Sequence, residues 1–349
     1  MYEKDGEKYF VVDGHTHFWD ASPENWVKGQ EDYAKGWIEC FHAYQGLGPA
    51  ETHWSIQDFQ KYSEERMMKD VFEDGHVDVA IFQPTNLRQW YANGFNTTET
   101  NGALAEKHPG NFLVNTNWDP RDGDEGLKQL EERARRWNSK GVKLYTAEWY
   151  GDSRGWSLKT PEAATYLEKC QELGLKNIHV HKGPTIWPLD KDAFDVSDVD
   201  YVATNFPELN FIVEHVGLPR IEDFCFMATQ EPNVYAGLSV VVGGLMHARP
   251  RFFAKVMGEL MFWLGEDKLI FGADYAIWEP KWQVEGFVDW NMPDGEEFGD
   301  YAKLTVAQKK KILGLNAARL YDIDVPAELR LDPKTAQPEP AVAEPAPAS

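Results

Sequence analysis

The chain has 349 residues, 42% hydrophobic and 26% charged, which supplies a sizeable core and excludes disorder of the whole. Its 57 acids against 35 bases leave a net charge of −22, a field that repels phosphate backbones and anionic lipid and argues against nucleic acid or a membrane surface as partner. Three cysteines without CxxC spacing, a polar N-terminus and no apolar run of membrane-spanning length argue against a disulfide framework, a signal peptide or a transmembrane helix, and a cytoplasmic setting is expected.

Short β-rich runs alternate with stretches of helical periodicity. In chain order the runs predict strands over 9–13, 77–83, 112–115, 141–145, 176–181, 210–215, 233–238 and 268–273. Amphipathic helices lie between them, such as GLKQLEERARRWNSK and PEAATYLEKCQELG, the second ending at Gly174, a plausible C-terminal cap. Near-continuous apolar strands alternating with helices imply a parallel sheet covered by helices. Eight such units imply an α/β fold of the (β/α)8 TIM-barrel type more readily than an open sheet, and no GxGxxG follows the first strand.

Two segments depart from the alternation. Residues from about 19 to 74 are rich in aromatic side chains and too long for one connecting helix, which predicts an insertion between strands 1 and 2 that caps one face. Within it, GLGP at 46–49 reads as a turn. The barrel domain is expected over 1–332. The tail 333–349 carries five prolines and five alanines, cannot bury enough surface to offset its ordering entropy, and is expected to be disordered.

The chemistry gathers at strand ends. The first strand runs into DGHTH, and His15 and His17, two apart, face the same side. The fifth ends in NIHVH with His179 and His181, the sixth in FIVEHVG with His215, and the eighth in LIFGADY with Asp274. A single strand-end histidine is usually a hydrogen-bonded structural residue. Several imidazoles and a carboxylate at the same end of separate barrel strands form a donor set for zinc, manganese or iron.

The motifs DGHTHFWD, IHVHKG, VEHVGLP, FGADYAIWEP and GLNAARLY, spread over residues 9 to about 322, resemble the amidohydrolase superfamily. The resemblance is to the branch containing aminocarboxymuconate-semialdehyde decarboxylase and γ-resorcylate decarboxylase. It implies one divalent metal, zinc first and manganese or iron next, held by His15, His17, His181 and Asp274. His215 would act as acid/base or polarise the metal-bound water, and Asp274 would be both ligand and proton relay. His179 is the extra residue, expected behind the ligands. Lys143, in GVKLY, stands where phosphotriesterase-like relatives carry a carboxylated lysine between two metals, so a binuclear site is the alternative; otherwise Lys143 is a buried cation paired to Glu148 or Glu214. A homodimer is expected from the same resemblance.

Several tryptophans fall just past strand ends: Trp19, Trp118, Trp149, Trp187 and Trp278. Some of these rings are expected to enclose a small aromatic or unsaturated acid, with Trp19, Trp187 and Trp278 the first candidates; the bland reading is that they pack the loops. Arg88, Arg121, Arg154 and Lys182 are cations available to a substrate carboxylate, Arg154 singled out. The leading expectation is non-oxidative decarboxylation. Hydrolysis of an amide, ester or lactone would use the same residues, and a catalytically inactive metal-binding scaffold is the third reading. No GxSxG elbow and no P-loop compete.

Overall fold

The computed structural model describes residues 1–331. The proline- and alanine-rich stretch 333–349 lies outside them. The chain opens with an antiparallel hairpin, β1 (Tyr2–Lys4) and β2 (Glu7–Tyr9), turned by Asp5 and Gly6 at φ of 53° and 79°, conformations these two residue types tolerate. The predicted first strand is thereby corrected. Tyr9 closes the hairpin, and the barrel strand is β3 (Val12–Thr16), three residues further on. The apolar run Phe10–Val12 bridges the two elements, so periodicity alone does not reveal the break between them.

The remaining strands fall inside the predicted runs: β4 (Val79–Phe82), β5 (Phe112–Val114), β6 (Gly141–Leu144), β7 (Asn177–His181), β8 (Asn210–Glu214), β9 (Val234–Gly237) and β10 (Leu269–Ile270). All pair in parallel, as β3–β4–β5 and as β6 through β10 in sequence order. Hydrogen bonds bridge both gaps between these sheets. Thr116 N donates to Gly141 O (3.1 Å) and Lys143 N to Thr116 O (3.0 Å); across the other gap Gly14 N donates to Phe271 O and Asp274 N to His15 O (2.9 Å each). The architecture is a TIM barrel. Asp13 stitches the second seam, its Oδ1 accepting from His15 N (3.0 Å) and Ala273 N (2.8 Å), while full burial pushes its carboxyl up to about 7.

The helices follow from capping and patterning. Pro161–Leu173 starts on Thr160, whose side chain accepts from Ala163 N, carries proline in its first turn, and stops at Gly174 with φ 72°. It buries Ala163, Tyr166, Leu167 and Cys170, the i, i+3, i+4, i+7 stripe of a helix laid on a sheet. The helix Asn316–Tyr321 packs Ala317, Ala318 and Tyr321 against Val12, Ile81, Ile212 and Ile270 of four barrel strands. Just before it, Gly314 lets the backbone meet Phe10 directly; any Cβ there would overlap the Phe10 carbonyl.

Between β3 and β4 the chain builds a helical roof. Its longest helix, Glu31–Ala43, buries Ala34, Trp37, Ile38 and Phe41. Trp19, Phe41, Phe59, Tyr62 and Phe95 interlock beside it at centroid distances of 5.0–6.3 Å. One indole ties this roof to the barrel. Trp278, beyond β10, lies between Gly48 of the insertion and Gly243 after β9, where added Cβ atoms would meet its ring at 2.9 and 2.5 Å. The GLGP turn therefore makes room for a ring. Among the described residues, no helix is long and apolar enough to cross a membrane.

Candidate metal centre and substrate cavity

Strand alternation brings the predicted side chains to one end of the barrel. β3 carries His15, with His17 just beyond it; β7 ends at His181; β8 ends at Glu214 and is followed at once by His215; Asp274 lies four residues past β10. His215 and Asp274 both hold left-handed backbone conformations, with φ of 65° and 60°. Such strain persists only where the surroundings over-determine it. Here Asp274 N is tied to His15 O, and the His215 and Asp274 carbonyls accept from Leu218 N and Ile277 N.

Three donor atoms converge. His15 Nε2 lies 3.1 Å from His17 Nε2, His17 Nε2 lies 3.2 Å from Asp274 Oδ1, and Asp274 Oδ1 lies 3.7 Å from His15 Nε2. Ligands bonded to one cation at about 2.1 Å stand roughly 3.0–3.4 Å apart, so this triangle suits a single divalent ion. An overlapping set, His15, His215 and Asp274, also offers ligand atoms within 4.8 Å of one another. His181 stands beside His215, its Nδ1 3.1 Å from His215 Nε2, and its buried Nε2 has no hydrogen-bond partner. A buried nitrogen without a partner is costly unless a ligand takes it.

Burial sets the charges. It pushes His15 down to about 3 and depresses His179, His181 and His215, so these rings are neutral near pH 7, the form that ligates metal. For Asp274 burial acts upward, yet the surrounding His15, His17 and His215 outweigh it and hold the carboxylate ionised. Glu214 behaves likewise: burial opposes ionisation, but His15, His179 and Lys143 keep it charged. Glu214 is the residue sequence reasoning placed too modestly, as a possible lysine partner. Its carboxylate accepts from His15 Nδ1 (2.8 Å), from Ser239 Oγ (3.1 Å) and from His179 Nδ1, and His179 Nε2 in turn meets Tyr321 OH (2.7 Å). The pattern of a ligand imidazole backed by a carboxylate fixes tautomer and ring orientation.

Above the triangle opens a cavity of about 510 Å³, including its mouth. His15, His17, Lys143, His181, His215 and Asp274 form its polar floor; Trp37, Phe41, Phe95, Tyr145, Ile186, Val240, Ile277 and Trp278 form most of its walls. A model of the amidohydrolase family matches residues 12–323. The chain belongs to the amidohydrolase family. A search of curated proteins gives no match to it. Solved structures similar to this amidohydrolase share its fold at low identity. An uncharacterised TIM-barrel protein from Bordetella bronchiseptica has a TM-score of 0.64 and 17% identity, with 90% of this chain and 98% of that one covered. A 2,6-dihydroxybenzoate decarboxylase from Rhizobium gives 0.57 and 16%, over 91% and 100% of the two chains. The 5-carboxyvanillate decarboxylase of Novosphingobium aromaticivorans, in complex with manganese and 4-hydroxy-3-methoxy-5-nitrobenzoic acid, gives 0.58 and 15%, over 90% and 96%.

The other candidate residues of this amidohydrolase separate into those at the cavity and those away from it. Lys143 is at the floor, Nζ 3.4 Å from His15 Nε2, with burial pushing it down to about 8; it forms no ion pair with Glu148 or Glu214. His179 lies between Glu214 and Tyr321, away from the cavity lining. Of the tryptophans, Trp278 lines the cavity, joined by Trp37, which sits in the insertion helix and which strand-end reasoning could not find. Trp19 and Trp187 do not line it. Trp19 is buried behind His17, stacked on Phe95 with its Nε1 donating to Phe59 O (2.7 Å), and Trp187 is 53% exposed over Gly36. Trp118 and Trp149 also lie outside the cavity lining.

The four cations are engaged elsewhere. Arg88 clamps Asp122 (2.8 and 3.1 Å), Arg121 pairs with Asp119 (2.8 Å), Lys182 is buried against Asp198 (2.8 Å), and Arg154 is exposed, stacked 3.5 Å above the Trp149 ring. Arg154 is therefore not at the cavity, which corrects its assignment to substrate. Behind Lys143, Glu148 accepts from Arg88 N (3.3 Å), and burial, aided by Asp119 and opposed by Arg88, pushes its carboxyl up to about 7. The folded state then holds a proton that the unfolded state releases near pH 4.5, so stability falls as pH rises from about 4.5 to 7 and stays lower above. Urea unfolding of wild type and Glu148→Gln at pH 4.5 and pH 8 is expected to show the wild type losing up to about 3 kcal/mol relative to the variant at the higher pH. A difference that does not change with pH would refute a buried neutral acid at this position.

Proposed function

We propose that this amidohydrolase is a metal-dependent, non-oxidative decarboxylase acting on a small aromatic acid. The single observation that carries the reading is the triangle of His15, His17 and Asp274 donor atoms on the floor of an aromatic-walled cavity. His15, His17 and Asp274 would hold one divalent cation, manganese or zinc, with His181 offering its unpartnered Nε2. Bound there, a cation would supply Lewis-acid charge to the oxygen atoms of the substrate.

The chain's own residues do the rest. The apolar walls exclude water and hold the ring flat against the floor. His215 is aimed by its Nδ1, which lies 3.2 Å from Ser239 O and 3.0 Å from Ser239 Oγ. His215, neutral before substrate arrives, takes up a proton from solvent as the anionic substrate binds. As the bond to the carboxyl carbon breaks, its electron pair stays on the ring carbon, and that carbon takes this proton from the imidazolium. CO₂ leaves, and the imidazole returns neutral. Asp274, 3.8 Å from His215 Nδ1, stabilises the transient imidazolium. The folds of the two decarboxylases above support the reading, as does the small aromatic acid bound to one of them.

The test is a panel of hydroxybenzoic acids and of aryl amides, esters and lactones, offered to protein loaded with manganese or with zinc. Headspace CO₂ and acid release are measured side by side. CO₂ from at least one hydroxybenzoic acid is the expected result. Acid or amine release without any CO₂ would replace decarboxylation with hydrolysis.

A further inference from the structure

The cavity has one charged end. Among the described residues that line it, Lys143 is the only lysine or arginine, and it sits beside His15 on the floor. The other candidate cations are accounted for: Arg88, Arg121 and Lys182 are paired to Asp122, Asp119 and Asp198, and Arg154 lies outside on Trp149. Against these walls stands a second observation. Tyr145, 6% exposed and lining the cavity with its ring 4.5 Å from that of His181, has a buried hydroxyl without any hydrogen-bond partner. A phenol in that position costs free energy unless it meets an acceptor, and the cavity it borders is where one can come from.

We infer that the cavity selects a planar acid bearing a single carboxylate, with its charge at the His15–Lys143 end, and that Tyr145 donates to a neutral or phenolic oxygen on its ring. A second carboxylate on the same ring would lie against walls that are apolar apart from neutral groups such as Thr85 and the Trp37 and Trp278 indoles, desolvated and without a cation. The protein's surplus of acids works in the same direction. This deepens the aromatic-acid reading of the same site and rests on it.

Calorimetric titration of the manganese-loaded protein with 2-hydroxybenzoate and with 2-hydroxybenzene-1,3-dicarboxylate tests it without relying on turnover. The monoacid is expected to bind, and the diacid to bind roughly 100-fold more weakly. Tyr145→Phe is expected to weaken the monoacid about 5- to 10-fold while leaving the metal content unchanged. Equal or tighter binding of the diacid overturns the single-charge selectivity. Undiminished monoacid affinity in Tyr145→Phe removes the hydroxyl from the site. Failure of both acids to bind to the loaded protein overturns the aromatic-acid reading itself, and the selectivity with it.

Discussion

Replacing His215 with asparagine is expected to lower kcat for CO₂ release by roughly 1000-fold while the protein keeps its metal. The expectation follows from the division of labour at the cavity floor. His15, His17 and Asp274 already form a compact set of donor atoms, whereas His215 is held by Ser239 on one side and His181 on the other. Asparagine retains a polar amide of similar reach but carries no transferable proton. Elemental analysis beside initial rates separates the possible outcomes. Lost metal would place His215 among the ligands, as the overlapping His15, His215 and Asp274 group allows. Retained metal with retained activity would take the proton transfer away from His215.

Replacing Glu214 with glutamine is expected to weaken metal binding about 10- to 100-fold, measured by competition with a chromogenic chelator. The carboxylate accepts from His15 Nδ1, His179 Nδ1 and Ser239 Oγ, and so keeps the lone pair of His15 Nε2 turned to the centre. Glutamine has nearly the same shape but presents an NH₂ to one of these donors. It also removes a charge that two buried imidazoles and Lys143 keep ionised. Tyr321→Phe, which cuts only the outermost link from His179, is the comparison and should change metal affinity far less. If Glu214→Gln binds the cation as tightly as wild type, the carboxylate is a packing feature and does not orient the ligand.

Much of this was legible beforehand because barrel geometry is written in short periods. His15 and His17, two apart, and His181, His215 and Asp274 at their own strand ends had to meet if eight strands closed into a ring. Two kinds of information were not legible. One is pairing across the interior: Glu214 sits at the buried end of β8, and only coordinates show that it faces His15 and His179 rather than Lys143. The other is the packing of the insertion. Trp37 reaches the cavity from a helix about 20 residues past the first strand, while Trp19, nearer in sequence to His17, turns away to stack on Phe95. Proximity to a strand end says where a backbone emerges, and the side-chain rotamer decides which cavity it serves. Arg154 makes the same point: it follows a strand end in sequence, but its guanidinium stacks on the Trp149 face, outside the cavity lining.

The seam that Asp13 stitches has a bearing on how the enzyme matures. Its two sides, Asp13 and Ala273, are 260 residues apart, so a ribosome must deliver almost the whole chain before His15 and Asp274 can become neighbours. Contacts so distant form late and slowly. An ion held by His15, His17 and Asp274 would therefore bind only once the ring has closed, and its uptake would report that closure.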